Sequence, residues 1–365
     1  MSLLKTDDSL DGYIFPFEGN PHRGTIVCLP YRNDTWREDS LPALDNFYEL
    51  VNIISQYEKV FLIVDPSISK ERYSRFQMNN VEIHFIPYND SWARDNTLIY
   101  LQKDGKNLAL DFGFNAWGGK VDGLYPDYEK DNELGENLAK EFNDDYLLIK
   151  DFILEGGSVH TDGEGTLLTT EACLLSKGRN SSLSKNQIEN KLKKYLGVKK
   201  ILWLPRGIYN DETNEHVDNV ACFLKPGVIA LASCHDINDV QHQLYLQDLE
   251  YLKSQKDAKG RKLEIIEIET PIDLRMTKKE ADGLVLTDAI KRPEGNRLAG
   301  SYINFYQSDK FVIVPKFNHP LDDNAYRILK RFYQDKDVFQ LESREILLGG
   351  GNIHCVTNQI PKENK

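Results

Sequence analysis

Two stretches of the chain repeat each other across half its length, and no other feature restricts the fold as much. Ile153-Leu-Glu-Gly-Gly-Ser-Val-His-Thr161 lies over Leu347-Leu-Gly-Gly-Gly-Asn-Ile-His-Cys355, residue 161 against residue 355, at a constant offset of 194. A weaker echo sets Pro30-Tyr-Arg-Asn-Asp-Thr-Trp36 beside Pro87-Tyr-Asn-Asp-Ser-Trp92, 56 or 57 residues on. The first spacing equals about three units of 65 residues and the second about one. Five or so β-rich units, each carrying a helix, would fill the 365 residues. Placed radially, such units form an α/β propeller whose loops surround a central axis. A two-domain α/β chain would leave the echoes without a cause. No Pro- or Ser-rich linker breaks the sequence, so residues 1–365 are expected to make one domain.

The element signals alternate in the same sense. Lys59–Val64 and Val81–Ile86 read as strands. Val217–Leu224 and Val228–Cys234 read as a hairpin, with Pro226 and Gly227 placed for a type II turn. A helix is expected after Ser40, with Leu44, Phe47, Val51 and Ile54 on one face. A second is expected from Ser184 as N-cap through Ile188, Leu192 and Tyr195 to Gly197. A third runs through Ala325, Ile328, Leu329 and Phe332.

Lys and Arg number 45 against 57 Asp and Glu, a net charge of −12, with 40% hydrophobic residues. This is the composition of a soluble globular protein and a poor match for nucleic acid. No stretch approaches the ~18 apolar residues that span a membrane. Met1-Ser-Leu-Leu-Lys-Thr-Asp-Asp8 has no basic segment followed by an apolar core, so no signal peptide is read. Five cysteines without a CxxC fit reduced thiols and a cytoplasmic location. With no HExxH either, no metal is expected.

Four polar segments stand out, Asn89–Asp95, Glu155–Asp162, Asp211–Asp218 and Gly349–Cys355, the second and fourth of them rich in glycine. Each follows apolar, strand-like text, which predicts a place at a strand end. Cys28, Cys173, Cys222 and Cys234 lie inside apolar text and read as inert core. Cys355 instead follows three glycines, and where the related segment has Thr161 this one has a thiol. The histidine common to both copies, His160 or His354, reads as structural, bonding a neighbouring strand.

A nucleophilic thiol needs a proton partner, because a free cysteine of pKa about 8.5 is only slightly ionised at neutral pH. His84 alternates with apolar residues and is expected to face solvent. His216 has Asp218 two residues on, and in an extended segment both would project to one face. Asp95, Glu155 and Asp218 each sit in a site-like segment without a helical ion-pair partner. Planar carboxylates match the N–H forks of a guanidinium, fix its plane for attack and hold its charge. A thiol among three acids therefore favours hydrolysis of an amidine or guanidine over proteolysis.

Together, Trp92-Ala-Arg-Asp95, Phe114-Asn-Ala-Trp-Gly-Gly119, Leu154-Glu-Gly-Gly157, Thr213-Asn-Glu-His-Val-Asp218 and Gly349-Gly-Gly-Asn-Ile-His-Cys355 resemble the agmatine deiminase family. That family belongs to the guanidine-modifying, or pentein, superfamily, and the resemblance runs from Trp36 to Pro361. It implies a fivefold pseudosymmetric α/β propeller of ββαβ-type units around a central site. The implied reaction converts agmatine and water to N-carbamoylputrescine and ammonia without a cofactor. Carried over by residue, Cys355 forms a covalent amidino-cysteine, and His216 protonates departing ammonia and then activates water. Asp95 and Asp218 grip the guanidinium, Glu155 supports them or His216, and Glu212 answers the far ammonium. Trp92 and Trp117 wall the aliphatic arm. Relatives on this scaffold often pair as homo-oligomers. Glu215 stands where the family often has Gly, which would restrict the loop or add negative potential beside His216. The resting thiol is left open between a thiolate paired with protonated His216 and a thiol that ionises when the cation arrives.

Two other readings accompany this one. A sister deiminase acting on arginine or peptidyl-arginine would need an Arg or Lys at the distal end, and the acidic loop around Glu212 offers none. A non-catalytic propeller that binds a cation or a protein would leave Cys355 unreactive.

Overall fold

Strands and helices alternate to build five sheets of one recurring order in the computed structural model, which describes residues 2–5 and 9–364. Part of the start read above for a leader, Met1 and residues 6–8, lies outside the described residues. In each sheet an antiparallel strand flanks a parallel pair. Ile99–Lys103 lies against Lys106–Gly113, which runs parallel to Tyr146–Ile153. His160–Thr161 lies against Thr166–Thr170, parallel to Lys200–Leu204. Ala221–Lys225, Val228–Ser233 and Glu264–Glu269 repeat the order, as do Tyr306–Gln307, Phe311–Lys316 and Asp337–Glu342. The fifth sheet takes its antiparallel strand, Asn358–Pro361, from the far end of the chain and sets it on His22–Cys28, followed by Val60–Val64 and Val81–Phe85.

Parallel neighbours need a crossover, and a helix supplies it each time. In the parallel pair that recurs in all five sheets the crossovers are Glu129–Glu141, Lys185–Leu196, Val240–Ser254, Asp322–Phe332 and Leu41–Ser55, and the short helix Lys70–Tyr73 lies on the way to the fifth sheet's further strand Val81–Phe85. Their apolar stripes form the core: Leu44, Phe47, Val51 and Ile54 are buried as expected. Ser184 and Gln187 form a reciprocal capping box, and Gly197 closes that helix at φ 66°, a left-handed turn that suits glycine. Buried apolar residues divide into three clusters rather than one hub. The antiparallel strands are joined at their edges through side chains. Phe223 N–H donates to His160 Nδ1 at 3.3 Å, the Gln307 amide donates to the Phe223 carbonyl at 3.1 Å, and the Asn358 amide donates to the Leu98 carbonyl at 2.7 Å.

The long echo now has a structural meaning. His160 opens the strand His160–Thr161, and His354 leads into Asn358–Pro361, the equivalent strand three sheets later in the chain. The shorter echo does not mark a unit, because residues 30–36 and 87–92 follow two strands of the same sheet. Trp36 and Trp92 stack there at 5.1 Å and both donate to Asp90.

Three local expectations fail. Val217–Val220 is a helical turn, and only Ala221–Lys225 is strand, because Asp211 binds both Thr213 and Asn219 and folds the segment back. His216 and Asp218 therefore meet through a turn and not along an extended face. Ile346–Leu348 belong to the helix Arg344–Leu348, so the glycine-rich segment follows a helix and not a strand. His84 does not face solvent: its ring packs on Phe61 and Phe142 and bonds Glu141 at 2.8 Å, while Phe85 is 54% exposed. Among the described residues no helix is long and apolar enough to cross a membrane.

Candidate active site

Gly157 marks the place where the distant segments converge. A methyl group added there would lie 2.7 Å from His216 Nδ1, 2.8 Å from Asp95 Oδ1 and 2.9 Å from Asp218 Oδ2. Only a residue without a side chain leaves these three groups in place. Asp95 comes from the helical turn Ala93–Asn96, His216 stands at the N-cap of Val217–Val220, and Asp218 lies within that turn. Cys355 Sγ is 3.6 Å from Asp218 Oδ2 and 3.4 Å from Asn304 Oδ1. Cys355, His216, Asp95, Trp92 and Trp117 line one narrow cleft with Leu124, Thr213, Asn219 and Gly349–Gly351. Trp92 fits against Gly351 so closely that a Cβ there would overlap the indole.

Burial sets the charge pattern, and each neighbour corrects it. Burial pushes Asp95 up to about 6 and the nearby Asp218 and Glu155 add to this, while His216 and the Gly157 N–H pull it back. Gly157 N–H and the Trp117 indole both donate to Asp95, at 2.8 and 3.0 Å. For His216, burial opposes a charge, but Asp95, Cys173 and Glu155 outweigh it and push the imidazole up to about 10. Its Nδ1 and Nε2 stand 3.9 Å from Asp95 Oδ2 and Glu155 Oε2. Asp218 is held below the usual carboxylate range: burial would raise it, but His354, His216 and Arg94 prevail. Burial, Asp218 and Asp95 together push the Cys355 thiol well up, only partly opposed by Asn352 and Asn304. The arrangement at rest is a thiol, an imidazolium and an ionised Asp218 at neutral pH.

Glu155 is fully buried, with Arg179 Nε on Oε1 at 2.9 Å and Oε2 turned toward His216 without a hydrogen bond. Arg179 also donates to the Trp117 carbonyl, to Asn214 and to the Thr213 carbonyl, so one guanidinium ties three site loops together. That anchoring holds Ala116 and Trp117 at φ 53° and 63°, where non-glycine residues are strained. Glu215 likewise sits at φ 67°, which is the physical reason glycine suits this position. Its carboxylate points to Arg206 and the Gly207 N–H, so it clamps the loop and adds no free charge beside His216.

Glu212 departs from expectation. Its carboxylate is gripped by the buried guanidinium of Arg292, at 3.0 Å from Nε and 2.6 Å from Nη2, next to Gly350. The distal loop is therefore not free of cations; the sequence hides this because Arg292 lies 80 residues away. Cys173 is buried as expected but not inert in effect, since it backs His216 and Glu155 within 4.8 Å.

Sequence reasoning missed Asn304, Arg179 and Glu18. Asn304 accepts from the N–H of His354 at 3.0 Å and of Cys355 at 3.4 Å and so seats the Cys355 backbone. Its signal was an amide inside the aromatic run Tyr302–Tyr306. Arg179 lies in a short polar loop, and Glu18 follows Phe15-Pro-Phe17 as a lone acid outside the four polar segments. His160 bonds a neighbouring strand as expected, but His354 turns to Asp218 and is part of the site. Among the described residues two trios of ligand-type side chains occur, Glu18 with His160 and His354, and Glu155 with Cys173 and His216. Each already holds a guanidinium at its carboxylate, Arg94 or Arg179, and that charge opposes a metal cation.

Known proteins share this architecture. A relative from Latilactobacillus sakei, provisionally named an agmatine deiminase, is 42% identical, with 99% of each chain covered. One from Selenomonas ruminantium, named likewise, is 43% identical over the same shares. The solved agmatine deiminase of Enterococcus faecalis superposes with a TM-score of 0.94 at 35% identity, covering 98% of this chain and 99% of that one. The mixed α/β fold is the one these enzymes have. Matched over residues 14–361 by the family's model, this chain belongs to the Porphyromonas-type peptidyl-arginine deiminase family.

Proposed function

We propose that the protein is an agmatine deiminase, hydrolysing agmatine to N-carbamoylputrescine and ammonia. The observation that carries this is the meeting of a thiol, an imidazolium and two carboxylates around Gly157. The guanidinium lies between Asp95 and Asp218, and its positive charge offsets the two anions that keep the Cys355 thiol protonated. The thiol then releases its proton to solvent, which returns it when the thiolate is set free at the end of the cycle, and the thiolate attacks the central carbon. His216 gives its proton to the departing amine, leaving ammonia and an amidino-cysteine. Neutral His216 then takes a proton from water, hydroxide adds to the same carbon, and the sulfur leaves as thiolate; the second water proton passes to ammonia. Cys355, His216 and the attacking water account for every proton and electron pair in these steps, and none of the steps calls on a cofactor. Trp92 and Trp117 wall the methylene chain, and Trp117 also orients Asp95. We read residues 1–365 as one catalytic unit whose five sheets ring this site pseudosymmetrically, a reading supported by their common strand order and joined edges.

Arginine is the second reading, and Arg292 is the observation in its favour. Its Nη1 is buried without a hydrogen-bond partner, so it could receive a substrate carboxylate. For agmatine, Glu212 must share its charge between Arg292 and the distal ammonium. Ammonia release measured across agmatine, arginine and a peptidyl-arginine separates the readings. Agmatine is expected to give the highest kcat/KM, and a preference for arginine would overturn the first reading.

The pH profile follows from the charges. kcat/KM for agmatine is expected to rise as Asp95 ionises near pH 6, because only the carboxylate grips a cation, and to fall as His216 loses near pH 10 the proton it must donate. Both limbs belong to the coupled cluster and not to single residues. An acid limb absent around pH 6 would remove Asp95 from the grip.

A further inference from the structure

Glu18 lies outside every motif that carries the reaction, in the turn before His22–Cys28, yet it is 4% exposed and holds three basic side chains. Both of its oxygens stand 3.0 Å from His354 Nε2. Oε1 is also 3.2 Å from Arg94 Nη1, and Oε2 is 3.4 Å from His160 Nε2. His354 turns its other nitrogen, Nδ1, to Asp218 Oδ2 at 2.9 Å. An imidazole facing a carboxylate at each nitrogen satisfies both only by donating twice, as imidazolium. The backbone beneath the ring is fixed as well: Asn304 accepts from the His354 N–H, and Arg94 Nε donates to the His354 carbonyl at 3.3 Å. Asp218 Oδ2 is in turn the oxygen nearest the Cys355 sulfur, at 3.6 Å. A continuous buried run therefore leads from Glu18 through His354 and Asp218 to the nucleophile.

We infer that Glu18 is a positioning residue for the deiminase reaction: by holding His354 as a twofold donor, it fixes Asp218 in the pose and charge state that grip the guanidinium. The inference rests on the deiminase reading of the site and adds to it a group that never touches substrate.

The surrounding charges agree. Burial would raise Glu18, but His354, Arg94 and His160 hold it well below the carboxylate range. Burial and Arg94 oppose the charge on His354, and Glu18 and Asp218 outweigh them. Cys222, Tyr306 and Tyr333 also face Glu18, and burial pushes all three up, so they stay neutral at neutral pH. His22 borders it too, with Nε2 2.7 Å from the Glu18 carbonyl. Asp218 faces His354, His216, Arg94, Asp95, Cys222 and Cys355.

Glu18→Gln keeps the size and one acceptor for His354 but removes an anion. His354 then loses part of what keeps it protonated, and Asp218 loses counter-charge and accepts a proton more readily. The expected result is a tenfold or larger rise in KM for agmatine with a smaller change in kcat, and an acid limb of kcat/KM moved to higher pH. Added to His354→Gln, the substitution should cost no further activity. An unchanged KM with an unmoved acid limb in folded Glu18→Gln overturns the inference. If that variant does not accumulate folded, His354→Gln alone gives the same readout, and an unmoved limb there overturns it equally. Failure of the unaltered protein to release ammonia from agmatine would instead sink the deiminase reading itself.

Discussion

Cys355→Ser is expected to bring ammonia release from agmatine down to background, a loss on the order of 10⁴-fold or more. The substitution is nearly isosteric, so the contacts of residue 355 with Asn304 and Asp218 are retained and the fold should melt close to the unaltered protein. What disappears is a polarisable nucleophile that the substrate's charge can ionise. A hydroxyl in the same seat, still flanked by carboxylates, holds its proton far more tightly than a thiol does. Intact-mass measurement during turnover should show an amidino adduct on the native chain and none on the variant. Undiminished turnover by the serine form would move the chemistry to another group.

His216→Ala ranks second, with an expected fall of ~10²–10⁴-fold in kcat/KM, the range for loss of a general acid–base group. Two effects add here. The leaving amine loses its proton donor and the hydrolytic water loses its base. The buried cation that offsets Asp95 also vanishes, so Asp95 should take up a proton more readily and grip the guanidinium less well. Raised KM and lowered kcat should appear together. Near-native kinetics with intact folding would show that the proton shuttle lies elsewhere.

Much of this site is legible in the sequence. The long echo places His160 and His354 at equivalent positions, and the change from Thr161 to Cys355 inside it singles out the thiol that the structure sets beside Asp218. Asp95, Glu155, His216 and Asp218 stand out as acids and a base in polar segments dense in functional side chains, and the structure brings all four together. The pairing of His216 with Asp218 was right for the wrong reason, because local Asp211 bonds fold that segment into a turn that periodicity cannot see. Residues that act through long-range ion pairs stayed hidden. Arg292 cancels much of the charge of Glu212, Arg179 threads three loops, and Glu18 reaches His354 across 336 positions. Nothing in the local pattern of a lone Arg or Glu tells which remote partner it will meet. The fold divides in the same way: element types follow from periodicity, while the edges that join one sheet to the next depend on single amides such as Asn358 and Gln307.

The sheet that unites both ends of the chain has a consequence for when the enzyme comes alive. Cys355 lies just ahead of Asn358–Pro361, which zips onto His22–Cys28. Every strand of the other four sheets precedes Cys355 in the sequence, so those sheets do not by themselves set its sulfur in place. Competence to cleave a C–N bond arrives only when this last strand joins the sheet that holds one of the first.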